Sequence, residues 1–186
     1  MGLMGYYPLD GNANDLAATP VNGTLVGSPV FIADRKGAAG KAVSFTPAVP
    51  FDSTKPQVPA KAGQFIDIPG SANRNYMPIT VSLWCKLDAD APSVGNILSK
   101  YIAASWNGIQ LLYFKDATTG KYYLNPWYLN SQANRIIGDY GEPPFRFELP
   151  TDKWVHIVMT VNDKEASVYM DNKLVDRKST RLNSSH

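Results

Sequence analysis

The chain has 186 residues, 18 Lys and Arg against 16 Asp and Glu, 14 Gly, 14 Pro and one Cys. A balance this near neutrality excludes the basic field that phosphate-backbone binding needs, and a lone cysteine excludes an intrachain disulfide or a cysteine-based metal centre. Plentiful turn formers, 11% aromatic residues and scarce helical periodicity predict an all-β protein, and no apolar run is long enough to insert into a membrane as a helix.

In chain order, Met1-Gly2-Leu3-Met4 carries no basic start and no long apolar run, so it does not read as a signal peptide, and any export signal is expected upstream. Period-two alternation bounded by turn residues predicts strands at Gly5 to Leu9, Pro29 to Ala33, Ala42 to Phe45 and Gln64 to Ile68. Between them, Thr46 to Ala62 holds Pro47, Pro50, Pro56 and Pro59 and reads as a surface loop. The clearest strand is Ile79 to Leu87, with Ile79, Val81, Leu83, Cys85 and Leu87 on one face and Thr80, Ser82, Trp84 and Lys86 on the other. Further strands are predicted at Asn96 to Tyr101, Ile109 to Phe114, Lys121 to Asn125 (ended by Pro126) and Trp154 to Val161. Asn130 to Pro150 is irregular. A hairpin follows, from Ala166 to Met170 through a turn at Asp171-Asn172 to Lys173 to Val175.

Four blocks of this chain, in order, carry a resemblance. They are Gly5-Tyr6-Tyr7-Pro8-Leu9-Asp10-Gly11-Asn12-Ala13-Asn14-Asp15 with Asn22-Gly23-Thr24, then Ile79 to Lys86 with its Trp84, then Ile97-Leu98-Ser99-Lys100, and finally Trp154 to Val161 with Val168 to Val175. Together they resemble the laminin-G-like, concanavalin-A-like jelly-roll domains of bacterial surface and secreted proteins. The resemblance implies a two-sheet antiparallel jelly-roll sandwich over residues 1–175, one domain of a longer extracellular polypeptide. It also implies a closing C-terminal strand, which the sequence does not provide beyond Val175. Asp176 to His186 resembles, residue for residue, one reading frame of a common sequencing-adapter string, so residues 176–186 are expected to be a non-native tail. Without Arg177, Lys178, Arg181 and Asp176, 15 basic and 15 acidic residues remain of the 18 and 16.

The site chemistry is read from residue types. A glycosidase needs two carboxylates across a groove, whereas Glu142, Glu148 and Glu165 are isolated and Asp88-Ala89-Asp90 lies at a strand end. His156 shares the alternation of Trp154 and reads as a packed strand histidine; a triad would require it to meet a serine or Cys85 and an orienting acid. No catalytic residue is assigned. Ligand contacts are expected at Trp106, Asn107, Trp127, Tyr128 and Tyr140, since aromatic faces suit pyranose rings and amides suit hydroxyl groups. The same aromatics also suit a sandwich core. Asp10, Asn12, Asn14 and Asp15 gather oxygen donors in one turn and are candidate Ca2+ ligands, or else turn hydrogen-bonding residues. The function implied is a non-catalytic recognition module, binding a glycan or an extracellular protein, with no nucleic-acid partner. The alternative is an accessory domain of a secreted glycoside hydrolase with no ligand of its own.

Overall fold

A computed structural model of the chain describes residues 2–47, 63–69, 78–102, 107–129, 135–137, 147–162 and 165–179. It divides into two compact units, Met1–Arg74 and Asn75–His186, and all its regular elements are strands.

The first unit contains two short ladders. Strand β1 (Thr24–Val26), β2 (Val30–Ile32), β3 (Ala42–Ser44) and β4 (Phe65–Asp67) pair antiparallel as β1 with β4 and β2 with β3. The expected strand over Gly5 to Leu9 belongs to neither ladder. A buried carboxylate fastens that segment instead. Asp15 Oδ1 accepts the backbone N–H of Tyr6 at 2.8 Å and of Ala17 at 2.9 Å, and Oδ2 accepts that of Val21 at 3.0 Å. Asn22 Oδ1 in turn accepts the N–H of Asp15, and Tyr7 donates its hydroxyl to the Val21 carbonyl. Satisfying backbone groups through a side chain removes the need for a strand partner. Gly23 is required by close approach, because a Cβ there would stand 2.5 Å from Ile66 Cγ2. Gln64 ties β4 back to the chain before β2 by donating from Nε2 to the Gly27 carbonyl.

The second unit is by itself a two-sheet sandwich. One sheet runs β13 (Lys173–Ser179), β12 (Glu165–Met170), β11 (Trp154–Val161), β5 (Ile79–Lys86), antiparallel throughout. The other runs β10 (Phe147–Glu148), β8 (Tyr122–Leu129), β7 (Asn107–Lys115), β6 (Val94–Ile102), with β9 (Arg135–Ile137) also on β8. Alternation places Val155, Ile157, Met159 and Val161 of β11 inward, together with Val81, Leu83 and Cys85 of β5. They meet Ile109, Leu111 and Tyr113 of β7 and Tyr122, Leu124 and Tyr128 of β8 in one apolar cluster. Burial of these side chains is the main force holding the sheets face to face.

Two strand ends differ from expectation. Strand β8 passes through Pro126 to Leu129 instead of ending at Asn125. Pro126 falls between the residues paired to β10 (Tyr123, Leu124) and those paired to β9 (Tyr128, Leu129), a gap that tolerates a residue without an N–H. Strand β13 continues past Val175, pairing Asp176 to Val168 and Ser179 to Glu165. Backbone pairing makes no demand on side-chain alternation, which is why a polar segment can extend the ladder. The remaining tail, 180–186, lies outside the described residues. The turn before β13 is as expected: Asp171 and Asn172 take φ of 47° and 64°, the left-handed pair of a tight hairpin.

Candidate functional site

The outward face of the five-stranded sheet collects the polar and aromatic groups best suited to ligand contact. Inward Ile109, Leu111 and Tyr113 leave Gln110, Leu112 and Phe114 facing out from β7, and inward Tyr122, Leu124 and Tyr128 leave Tyr123, Asn125 and Trp127 facing out from β8. Register then makes rows across the strands. Asn96, Leu112 and Asn125 form one, Ser99, Gln110 and Trp127 a second, and Val94, Phe114, Tyr123 and Glu148 a third. Three strands at the usual spacing span about 10 Å.

Local contacts fix these side chains. Gln110 donates from Nε2 to Asn96 Oδ1 at 2.6 Å, so both amides are held while retaining groups able to donate and accept. Phe114 and Tyr123 stack with centroids 5.7 Å apart. At the far end, Glu148 accepts from Lys121 at 2.7 Å and the two charges offset one another. Exposure falls across the face: Asn96 and Ser99 are exposed and Gln110 is half-buried, whereas Trp127 is 6% and Asn125 only 3% accessible. Asn125 Oδ1 is buried without a hydrogen-bond partner. A buried acceptor left in that condition is destabilising by about 1–3 kcal/mol.

The residues singled out in the sequence distribute unevenly. Trp127 lies on this face and Tyr128 in the core between the sheets, both within β8 instead of a loop. Asn107 opens β7, opposite Ile102. Trp106 and Tyr140 lie outside the described residues. The structure adds Asn96, Gln110 and Asn125, whose signal in the sequence is an amide at an outward position of an otherwise apolar strand.

Residues 61–185 match the family described as the concanavalin A-like lectin/glucanases superfamily. The chain belongs to this superfamily. The match takes in both sheets of the second unit and runs on through the segment set apart as a tail. No curated protein and no solved structure matches the chain.

The superfamily's description covers lectins and glucanases alike, and chemistry separates the two. Hydrolysis needs a facing carboxylate pair. On the face described above the polar positions of β6, β7 and β8 are amides and a serine, and Glu148 is engaged by Lys121. Glu142 lies outside the described residues. Elsewhere, a serine and an imidazole do meet: Ser82 Oγ lies 2.9 Å from His156 Nε2 on the outward face of the four-stranded sheet, with the ring stacked on Trp84 at 4.9 Å. The nearby carboxylate is used otherwise, Asp171 Oδ1 accepting the backbone N–H of His156, so it does not orient the ring as a triad acid does. Cys85 is no nucleophile either. Burial, with Asp171 adding to it, pushes its thiol up to about 12 from an ordinary 9.0. Native protein at pH 8 is therefore expected to react with a thiol reagent about a thousandfold more slowly than denatured protein, measured by timed alkylation. A raised thiol pKa favours the protonated form of the folded state. The stability it confers is full below pH 9 and falls as pH rises from there toward 12.

The turn at Asp10 to Asp15 puts its oxygens to other uses than holding an ion. Asp10 Oδ2 sits 2.6 Å from Lys41 Nζ. Asn12 donates to the Asp10 carbonyl and accepts the N–H of Asn14, and both oxygens of Asp15 receive backbone N–H groups. Ca2+ requires six to eight converging oxygens; these donors do not fit it as they are placed. Among the described residues no three His, Cys, Asp or Glu side chains converge on a metal position. Millimolar CaCl2 is expected to leave Tm where EDTA leaves it, as read by thermal melting.

Proposed function

We propose that this chain is a non-catalytic recognition module that binds carbohydrate through the outward face of its five-stranded sheet, within a larger extracellular protein. The observation that carries this reading is the hydrogen-bonded amide pair Asn96 and Gln110, on the same sheet face as the stacked rings of Phe114 and Tyr123. Amides donate and accept at once, as sugar hydroxyls do, and aromatic surfaces suit the apolar faces of pyranose rings. The inward alternation of β7 and β8 leaves these groups on rigid strands, where little ordering is needed on binding. Among the described residues no helix is long and apolar enough to cross a membrane.

A glycan array probed with the purified chain tests the reading, followed by titration calorimetry on any positive ligand. Binding that falls about tenfold in Gln110→Ala is the expected result, since that change removes one amide and releases its neighbour Asn96. Binding unaltered by Gln110→Ala would place the ligand on another surface. No binding to any glycan would favour an accessory domain without a ligand of its own.

A further inference from the structure

A cavity of about 290 Å3 opens at one end of the second unit's sandwich, walled by Ala89, Gly120, Tyr122, Leu149 and Thr151, with Lys121 and Glu148 at its mouth. Three stretches of chain meet there, and each is fastened. The turn between β7 and β8 is closed by Asp116, whose Oδ1 accepts the N–H groups of Thr118 and Thr119 and whose carbonyl accepts that of Gly120. The segment after β10 is held to β8 by the Leu149 N–H on the Tyr122 carbonyl at 2.8 Å, and to the end of β5 by the Asp152 N–H on the Leu87 carbonyl at 2.8 Å. Tyr122 is buried and donates its hydroxyl to the Ala91 carbonyl in the loop after β5. Walls fixed in this way need little ordering to receive a ligand. The volume lies at the small end of ligand pockets, which run from about 300 to 1,000 Å3, so it suits a single small ring. At the mouth, Lys121 Nζ and Glu148 Oε2 lie 2.7 Å apart, and both side chains are 54% exposed. An ion pair so open to water adds little to stability, so the fold does not require it there. It sets a donor and an acceptor side by side with no net charge. The hydrogen bond to Glu148 holds the Lys121 ammonium above its ordinary 10.5. A nearby ammonium, that of Lys115, is turned onto the face of the Tyr122 ring, 4.9 Å from its centroid.

We infer that this cavity is a terminal subsite of the proposed carbohydrate face, taking one neutral pyranose at the end of a glycan. The inference rests on the reading given under Proposed function and adds where the glycan ends and what its last ring is. One hydroxyl of a vicinal pair accepts from Lys121 while its neighbour donates to Glu148. Their mutual bond leaves each ion with further donors or acceptors for this. The C–H face of the ring lies against Leu149 and Pro150 of the cavity wall. The rest of the glycan runs out along the sheet. Glu148 lies opposite Tyr123, and Tyr123 opposite Phe114, the two half-buried rings being stacked. Beyond them lies the amide pair Asn96 and Gln110. An acidic sugar is disfavoured, because its carboxylate would meet Glu148 and compete with it for Lys121.

The decisive experiment compares wild type, Gln110→Ala, Ala89→Trp and Lys121→Met on one array of neutral and acidic oligosaccharides, with Tm recorded for each. Ala89 is exposed at the cavity wall, so tryptophan there fills the space without removing any group from the sheet face. Lys121→Met keeps the stem and removes the donor. Neutral glycans are expected to bind wild type and to lose about tenfold or more in affinity in both cavity variants, at unchanged Tm. The free monosaccharide that ends the bound glycan is expected to compete. Should Ala89→Trp lower Tm, Lys121→Met decides alone. Loss in both cavity variants with none in Gln110→Ala supports the cavity and removes the amide pair from the site. Two results overturn the inference and spare the carbohydrate reading: acidic glycans bound in preference to neutral ones, or neutral binding reduced in Gln110→Ala and retained in both cavity variants. Binding of no glycan, or binding indifferent to all three changes, overturns both.

Discussion

Asp15→Ala is expected to destabilise the first unit by about 3–5 kcal/mol. Three backbone N–H groups converge on this carboxylate, from Tyr6, Ala17 and Val21, and the residue is only 4% accessible. Hydrogen bonds to a charged acceptor contribute about 1.5–3 kcal/mol each, and donors left buried without a partner add a penalty. Alanine removes all three bonds and supplies nothing in their place. Asn keeps one oxygen, so Asp15→Asn should lose less than Asp15→Ala. Asp10→Ala, which breaks a half-exposed ion pair with Lys41, should cost less than about 1 kcal/mol. Hydrogen exchange read peptide by peptide checks the order: fast exchange across residues 5–24 in Asp15→Ala alone is the expected result. Equal protection in Asp15→Ala and Asp10→Ala would mean that the carboxylate does not organise the segment.

That expectation changes what the opening motif means. The Asp-Gly-Asn-Ala-Asn-Asp turn and the Asn-Gly-Thr that follows read in the sequence as a dense patch of oxygen donors and a strand entry. In the structure they are two halves of one clasp, with Asp15 reaching Val21 and Asn22 reaching back to Asp15. Composition revealed the chemistry available, but only the path of the chain determined which atoms faced one another. Strands β5 and β11 were legible because every second residue of each is an apolar one or Cys85, an alternation that survives into the burial of the structure residue for residue. Strand β8 was cut short because Pro126 is a strand breaker wherever its missing N–H is needed, and whether it is needed depends on partners far along the chain. The proposed contact face was hidden for a related reason. Asn96 and Gln110 come from different strands, so no local pattern joins them until the register is known.

Ile157→Ala is the second large expectation, at about 3–4 kcal/mol. Ile157 is wholly inaccessible. It lies on β11 between Leu83 of β5 and Met170 of β12, and it joins the cluster shared by both sheets. Truncating a buried aliphatic residue loses its transfer free energy and leaves a cavity that strand neighbours, fixed by their ladders, cannot close; such changes cost about 2–5 kcal/mol. The position next to it gives the contrast. His156 points outward, stacked on Trp84, which is 43% accessible, so His156→Ala should cost less than about 1 kcal/mol. Urea denaturation followed by tryptophan fluorescence distinguishes the two, provided m is unchanged between variants. A large fall in midpoint for Ile157→Ala beside a small one for His156→Ala is what an inward-outward alternation on β11 requires. Equal effects would mean that both faces of the four-stranded sheet are packed, and that its outward face is also part of the core.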